Sequence, residues 1–206
     1  MKSALSVCLI FVSFFVLASP AQAFFEARVT YGFLKSDVDL GDLCSNCIAS
    51  APSIVPTYGL GADAIFTLPI PLIPGFGIRY ENMGLSVSSG ASDYEANFTR
   101  TAILVNCRII DTLIYVGPIL SYGISHSGTF KVSEGGTEKS HFSPGSTTSY
   151  SAGLEAGVKL IGFAVGAELG YMNFNWKDSV DSTGNNSTQD INMSGPYGKL
   201  VLGFSI

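Results

Sequence analysis

The sequence predicts an all-β protein: an eight-stranded antiparallel up-and-down barrel that crosses a membrane. Three observations carry this reading. Eight segments alternate apolar side chains with small or charged ones, and a period of two places alternate side chains on opposite faces of a strand. Hydrophobic residues make up 47% of the chain and charged residues only 13%, yet no uncharged helical span follows the N-terminal region, so the apolar residues are spread one in two around a wall. The faces that carry charge also carry Gly59, Gly61, Gly77, Gly117, Gly123, Gly153, Gly157, Gly166 and Gly170. Small residues of this kind are needed where a narrow interior must hold side chains from every strand.

The chain opens with Lys2, a nearly unbroken apolar run over residues 4–17, and Ala21-Gln22-Ala23, which fits a small-x-small cleavage site. Residues 1–23 are therefore expected to be a secretory signal, leaving 24–206 as one domain. Cys8 has no lipoprotein cleavage context before it. Removing the signal takes away Lys2 and no acid, so the formal charge moves from −5 to −6. This acidic balance argues against a nucleic-acid partner.

In the first segment Phe25, Ala27, Val29, Tyr31 and Phe33 form one face and Glu26, Arg28, Thr30 and Gly32 the other. A polar loop (36–53) follows. The second segment (54–68) sets Tyr58, Leu60, Ala62, Ala64 and Phe66 against Thr57, Gly59, Gly61 and Asp63, and Pro69, Pro71 and Pro74 make a stiff turn because proline cannot continue a ladder. In the third (76–87) Phe76, Ile78 and Tyr80 oppose Gly77, Arg79 and Glu81. Met83, Leu85 and Val87 continue the charged parity, so a β-bulge near Asn82 is expected to turn them outward. After a loop at 88–96, the fourth segment (97–107) alternates Thr99, Thr101, Ile103 and Val105 with Phe98, Arg100, Ala102 and Asn106.

A short turn (108–112) leads to the fifth segment (113–126), with Ile114, Val116, Leu120, Tyr122 and Ile124 outward and Gly117, Ser121, Gly123 and Ser125 inward. The longest loop, 127–148, contains Gly135-Gly136, a pair suited to turning a hairpin above the membrane. The sixth segment sets Tyr150, Ala152, Leu154, Ala156 and Val158 against Ser151, Gly153, Glu155, Gly157 and Lys159. Gly162 turns the chain, and the seventh sets Phe163, Val165, Ala167, Leu169 and Tyr171 against Gly166, Glu168 and Gly170. A polar stretch (178–189) precedes the eighth. Three short turns thus alternate with four long loops, the pattern of periplasmic turns and external loops, and an even strand number returns both ends to the periplasm. A soluble sandwich or lipocalin-like barrel would reverse the faces. The glycines beside the charges favour the membrane form.

The last segment alternates Leu200, Leu202, Phe204 and Ile206 with Lys199, Gly203 and Ser205, broken only by Val201. It resembles the closing strand of bacterial outer-membrane barrels, whose assembly machinery reads such a C-terminus. The whole span 24–206 resembles the small eight-stranded outer-membrane barrels, the OmpA-like, OmpX-like and opacity-protein group. That resemblance implies a monomer in the outer membrane of a Gram-negative bacterium, in contact with outer-membrane lipid and lipopolysaccharide. It also implies a role in envelope integrity, surface adhesion or host contact through an unidentified surface ligand. OmpW-like channels for hydrophobic solutes are similar in size and give the alternative.

The inward faces collect Glu26, Asp63, Glu81, Glu155 and Glu168 against Arg28, Arg79, Arg100, Arg108, Lys159 and Lys199. Nearly balanced charge in a narrow barrel predicts a lumen filled by paired ions, since an uncompensated buried charge is costly. Asp37-x-Asp39-x-x-Asp42 departs from an EF-hand loop in its glycine spacing and lacks the closing Glu, so a solvated loop is expected and no metal. His126-Ser127 and His141-x-Ser143 are the sequence-adjacent His–Ser pairs. Lipid A-modifying enzymes of this size keep their sites near the outer rim, but the surrounding residues do not match the deacylase pattern, and neither catalysis nor a cofactor is expected.

Cys44-Ser45-Asn46-Cys47 admits a local disulfide, a zinc half-site, a redox motif or free thiols. Only His126 and His141 could complete a zinc site, a redox motif would want a βαβ context, and an oxidising compartment favours the disulfide. Cys107 reads as a small apolar residue. Reduction of the denatured mature protein should therefore raise its count of labelled thiols by two; no rise on reduction, or bound zinc, overturns the disulfide. Replacing Cys44 and Cys47 by Ser should leave barrel stability nearly unchanged, because so short a closed loop removes little unfolded-state entropy.

Overall fold

A computed structural model describes residues 25–36, 55–68, 73–177, 180–181 and 191–205. The expected signal (1–23), the Cys44–Cys47 pair, the Asp37, Asp39 and Asp42 cluster, Pro69, Pro71 and most of the polar stretch 178–189 lie outside the described residues.

The alternating segments become strands β1 (Phe25–Ser36), β2 (Val55–Phe66), β3 (Gly75–Ser89), β4 (Ser92–Asn106), the short β5 (Ile110–Asp111) and β6 (Ile114–Glu134). They continue as β7 (Thr137–Ser143), β8 (Ser146–Leu160), β9 (Phe163–Lys177), the short β10 (Val180–Asp181) and β11 (Ile191–Asn192), and β12 (Gly195–Ser205). Eight of these form the wall, in the order β1-β2-β3-β4-β6-β8-β9-β12, and β12 pairs back onto β1 through Ala27↔Phe204 and Leu34↔Tyr197. All pairings are antiparallel, and the sheet closes without an edge along the wall. The turns β2–β3, β4–β6 and β8–β9 lie at one end with the start of β1 and the finish of β12. The hairpins lie at the other.

Polarity is inverted relative to a soluble barrel. Val29, Leu60, Ile78, Leu120, Leu154, Leu169 and Leu202 are exposed, while Glu26, Arg28, Asp63, Arg79, Arg100, Glu155 and Glu168 are buried. An outward apolar wall around a polar lumen is the distribution of a transmembrane barrel. The belt has aromatic borders. Phe25, Phe66, Phe76, Phe163 and Phe204 form an arc at the turn end across β9, β12, β1, β2 and β3, and Tyr31, Tyr58, Tyr80, Tyr122, Tyr150 and Tyr171 stand outward nearer the hairpins. Amphipathic rings of this kind suit membrane–water boundaries. On β9, Phe163 and Tyr171 are eight residues apart, roughly 27 Å along a strand, or about 21 Å of barrel height at the usual tilt.

Three local expectations are corrected. No bulge occurs at Asn82: β3 keeps one register with β2 and β4 throughout, pairing Asn82 with Leu60 and Thr99. Met83 and Leu85 stay inward and are buried because the lumen itself becomes apolar at that level. The bulge lies on β6, where Thr101 pairs Ser125 and Ala102 pairs Gly123, leaving Ile124 as the extra residue. Inward parity passes there from Ser121 and Gly123 to Gly128 and Phe130, so Ser125 faces outward. The expected loops 88–96 and 127–148 are largely strand. Gly90-Ala91 turns β3 into β4, and Gly135-Gly136, both at positive φ, turn β6 into β7.

The wall glycines are seats. A Cβ on Gly166 would lie 2.1 Å from the Tyr115 hydroxyl, and one on Gly77 would lie 2.3 Å from the Ala64 carbonyl oxygen. Gly84 meets nothing nearer than 3.4 Å. Gly77→Ala should therefore cost about 1–3 kcal/mol by overpacking, lowering the urea midpoint of the folded, unheated gel band, whereas Gly84→Ala should leave it nearly unchanged. Equal midpoints for the two variants would refute the close packing at Gly77.

Candidate functional site: the charged lumen and its apolar cap

Three clusters of paired charges lie in the lumen between the turn end and mid-barrel, the upper two joined through Lys199. In the lowest, Arg28 on β1 donates to Glu26 at 2.9 Å and reaches across to Glu155 on β8 at 2.7 Å. Arg108, from the β4–β5 connection, donates to the same two acids, at 3.0 Å to Glu155 and 3.0 Å to Glu26. Asn106 adds a donor to Glu155 at 3.0 Å, and the Arg108 guanidinium lies 4.2 Å from the Tyr115 ring centroid. Asp111 bridges Arg108 to Lys159.

The middle cluster is built on Arg79. Its guanidinium donates through Nε and Nη2 to both oxygens of Asp63, each at 2.8 Å, and through Nη1 and Nη2 to both oxygens of Glu168, at 2.9 and 2.7 Å. The planar fork of arginine grips both oxygens of each of two carboxylates, a bidentate geometry that the point charge of a lysine ammonium does not provide. Asp63 is its cross-strand partner on β2, whereas Glu168 comes from β9 on the far side of the barrel. Tyr197 on β12 donates to Glu168 at 2.6 Å.

Above it, Lys199 lies 2.5 Å from Glu81 and 3.7 Å from Glu168, and Arg100 donates to Glu81 at 2.6 Å. The remaining Arg100 nitrogens reach Ser149 at 2.6 Å and Ser121 at 2.8 Å, and Ser121 bonds Ser151 at 2.6 Å. The eleven charges expected inward are thus all members of ion pairs, and Asp111 joins them. The network holds six acids (Glu26, Asp63, Glu81, Asp111, Glu155, Glu168) and six cations (Arg28, Arg79, Arg100, Arg108, Lys159, Lys199). Its formal charge is zero.

Toward the hairpins the inward faces turn apolar. Met83 and Leu85 from β3, Phe98 from β4, Phe130 from β6 and Met172, Phe174 and Trp176 from β9 pack into one buried cluster with Ile191 and Met193. Phe98 sits 4.8 Å from Phe174 and edge-on to Trp176 at 6.4 Å. The outward faces change in the opposite sense: Ser86, Ser88, Asp93, Glu95 and Asn97 are exposed there. This end is packed as a soluble protein is.

Sequence reading missed the apolar cap, although Met172, Phe174 and Trp176 continue the parity of Glu168 and Gly170. It also missed Tyr115 and Tyr197, whose hydroxyls lie over Gly166 and Gly153. His126 bonds Ser149 at 2.7 Å, not its neighbour Ser127, which bonds Thr99 at 2.5 Å. Ser149 is fully buried and already contacted by Arg100, an arrangement that orders the lumen and offers a substrate no approach to its hydroxyl. Among the described residues no group of three or more His, Cys, Asp or Glu is arranged to hold a metal ion.

The molecule is therefore an eight-stranded transmembrane barrel with an ion-paired interior. In the same architecture stand Neisserial surface protein A (11% identity, TM-score 0.49, covering 89% of this chain and 98% of that one) and Ail, the attachment invasion locus protein of Yersinia pestis (14% identity, TM-score 0.48, covering 89% and 97%). The same Ail protein solved with the heparin analogue sucrose octasulfate aligns at TM-score 0.46. At these values the likeness is one of architecture and transfers no residue role. No family model and no curated protein sequence matches the chain.

Replacing Arg79 would leave Asp63 without its ion-pair partner and Glu168 with only the longer 3.7 Å contact to Lys199. Arg79→Met should destabilise the barrel by roughly 3–5 kcal/mol in urea titrations of the detergent-refolded protein. Adding Asp63→Asn and Glu168→Gln should recover part of the loss. A single variant as stable as the parent would show that this cluster does not hold the wall together.

Proposed function

We propose that this chain is an outer-membrane protein of a Gram-negative bacterium, exported by its N-terminal signal and acting without catalysis as a surface-interaction barrel. The carrying observation is how the lumen is occupied: a neutral ion-pair network below and a packed apolar cluster above. Side chains paired across the barrel in this way favour a lumen closed to solutes over an open channel. Eight strands enclose an interior that side chains can fill. The surface left for a partner is then the hairpin end, where β3, β4, β6 and β7 rise above the tyrosine border with polar outward faces. Lipid and lipopolysaccharide surround the belt, and a monomer suffices because the wall has no edge to pair.

A second reading, a channel for apolar solutes, draws on the apolar cap, since Phe98, Phe174 and Trp176 are the chemistry such a solute would meet. Planar bilayers separate the two. The surface-interaction reading expects no sustained conductance, and no partitioning of an apolar solute across proteoliposomes that contain the protein. A stable open channel abolished by changing Arg79 or Arg100 would overturn it. For topology, an epitope inserted between Gly135 and Gly136 should bind antibody on intact cells, and the same epitope at Gly162 should bind only after permeabilisation. The reverse labelling would invert the barrel.

A further inference from the structure

The turn end is unusually apolar for a surface expected to meet the periplasm. The three turns and the β1/β12 ends divide the rim into four sectors, each separated from the next by two wall strands. Every sector presents exposed apolar side chains: Phe204 at the ends, Leu68 after β2, Ile109 and Leu113 around β5, and Leu160 and Ile161 at the β8–β9 turn. Ile161 stands wholly in the open, at 102% of its reference exposure, and Leu113 is 64% exposed. Two further features accompany them. The nearby charges are turned inward and paired, Lys159 and Arg108 both onto Asp111. At the β4–β6 and β8–β9 turns the backbone is hydrogen-bonded to neighbouring strands: Ile109 N donates to Val116 O at 2.9 Å, Lys159 N to Leu113 O at 2.8 Å and Ser205 N to Gly162 O at 2.8 Å.

We infer that this rim is embedded in the periplasmic leaflet, its turns acting as apolar anchors continuous with the lipid-facing belt. The inference rests on the membrane-barrel reading and says how deep the barrel sits. Internally bonded turn backbone is the condition for entering a slab without water, where each unsatisfied group costs several kcal/mol. A protein partner or a second copy would dock on one sector. Lipid alone meets all four, and each sector is joined to the belt above it by Phe25, Phe76, Ile114 or Phe163. The consequence is a barrel with its turn end flush with the leaflet and all its polar hairpin surface displayed on the far side.

The test uses the full mature chain in liposomes whose phosphatidylcholine is brominated near the carbonyl end of its acyl chains. Trp176 is the only tryptophan. Single tryptophans are placed at Ile161, Leu113, Leu154 and Thr137 in a Trp176→Phe background; if that background does not refold, native Trp176 is kept and its emission subtracted. Ile161→Trp and Leu113→Trp should lose about half or more of their emission, as side chains seated at the headgroup–acyl boundary do. Leu154→Trp on the mid-belt should also be quenched, and Thr137→Trp on the hairpin should not. Quenching at Leu154 with none at Ile161 and Leu113 overturns the inference while the membrane barrel stands. No quenching at Leu154 overturns the barrel reading itself. Tryptophans at Ile161 and Leu113 shielded from aqueous acrylamide yet unquenched by the lipid would mean protein on protein at the rim, which also overturns it.

Discussion

Everything in this molecule depends on closing the strand ladder. A membrane offers the backbone no water, so each N–H and C=O of the wall must find its partner within the chain. The pairing of β1 with β12 meets that demand, and it makes the two ends of the domain neighbours. Closure in turn creates a lumen whose width follows from eight strands, and that width decides which side chains the inner faces can carry. The alternation along each strand is therefore one half of a constraint. The other half is the packing of inward side chains against strands far away in the sequence.

Charge is accommodated in that lumen because it can be paired there across the barrel. Arg79 joins β3 to β2 and to β9 across the barrel, and Arg28 joins β1 to β8, so the network acts as cross-bracing between opposite walls. Removing charges from water is expensive, and Coulombic gain offsets it only where hydrogen bonds are also made. The doubly bidentate Arg79 meets that condition. Glycine does the complementary work: with no Cβ on Gly166 and Gly153, the rings of Tyr115 and Tyr197 can lie against the wall and their hydroxyls can reach the polar interior.

Along the barrel axis the chain uses two kinds of packing. Below the tyrosine border apolar residues face outward and ions inward; above it polar residues face outward and Phe98, Phe130, Phe174 and Trp176 face inward. The switch occurs within single strands and without loss of register on β3, β4 and β9, while β6 spends one bulged residue, Ile124, to make it. This is what the change of solvent along the axis demands, and it marks where the bilayer stops. It also gives the β3–β4 and β6–β7 hairpins a buried apolar core of their own.

The fold class was legible in sequence because a one-sided strand writes its face into every second residue. Parity names the face and no more. It could not pair Arg79 with Glu168 or seat Tyr197 over Gly153, since those contacts join strands that are distant along the chain. Met83, Leu85 and Val87 show the limit most clearly: read locally they implied a slipped register, because parity alone assumes one environment along the whole strand. Only the tertiary structure decided that the lumen changes from ionic to apolar at their level, for that environment is assembled from β3, β4, β6 and β9 together and belongs to no single strand.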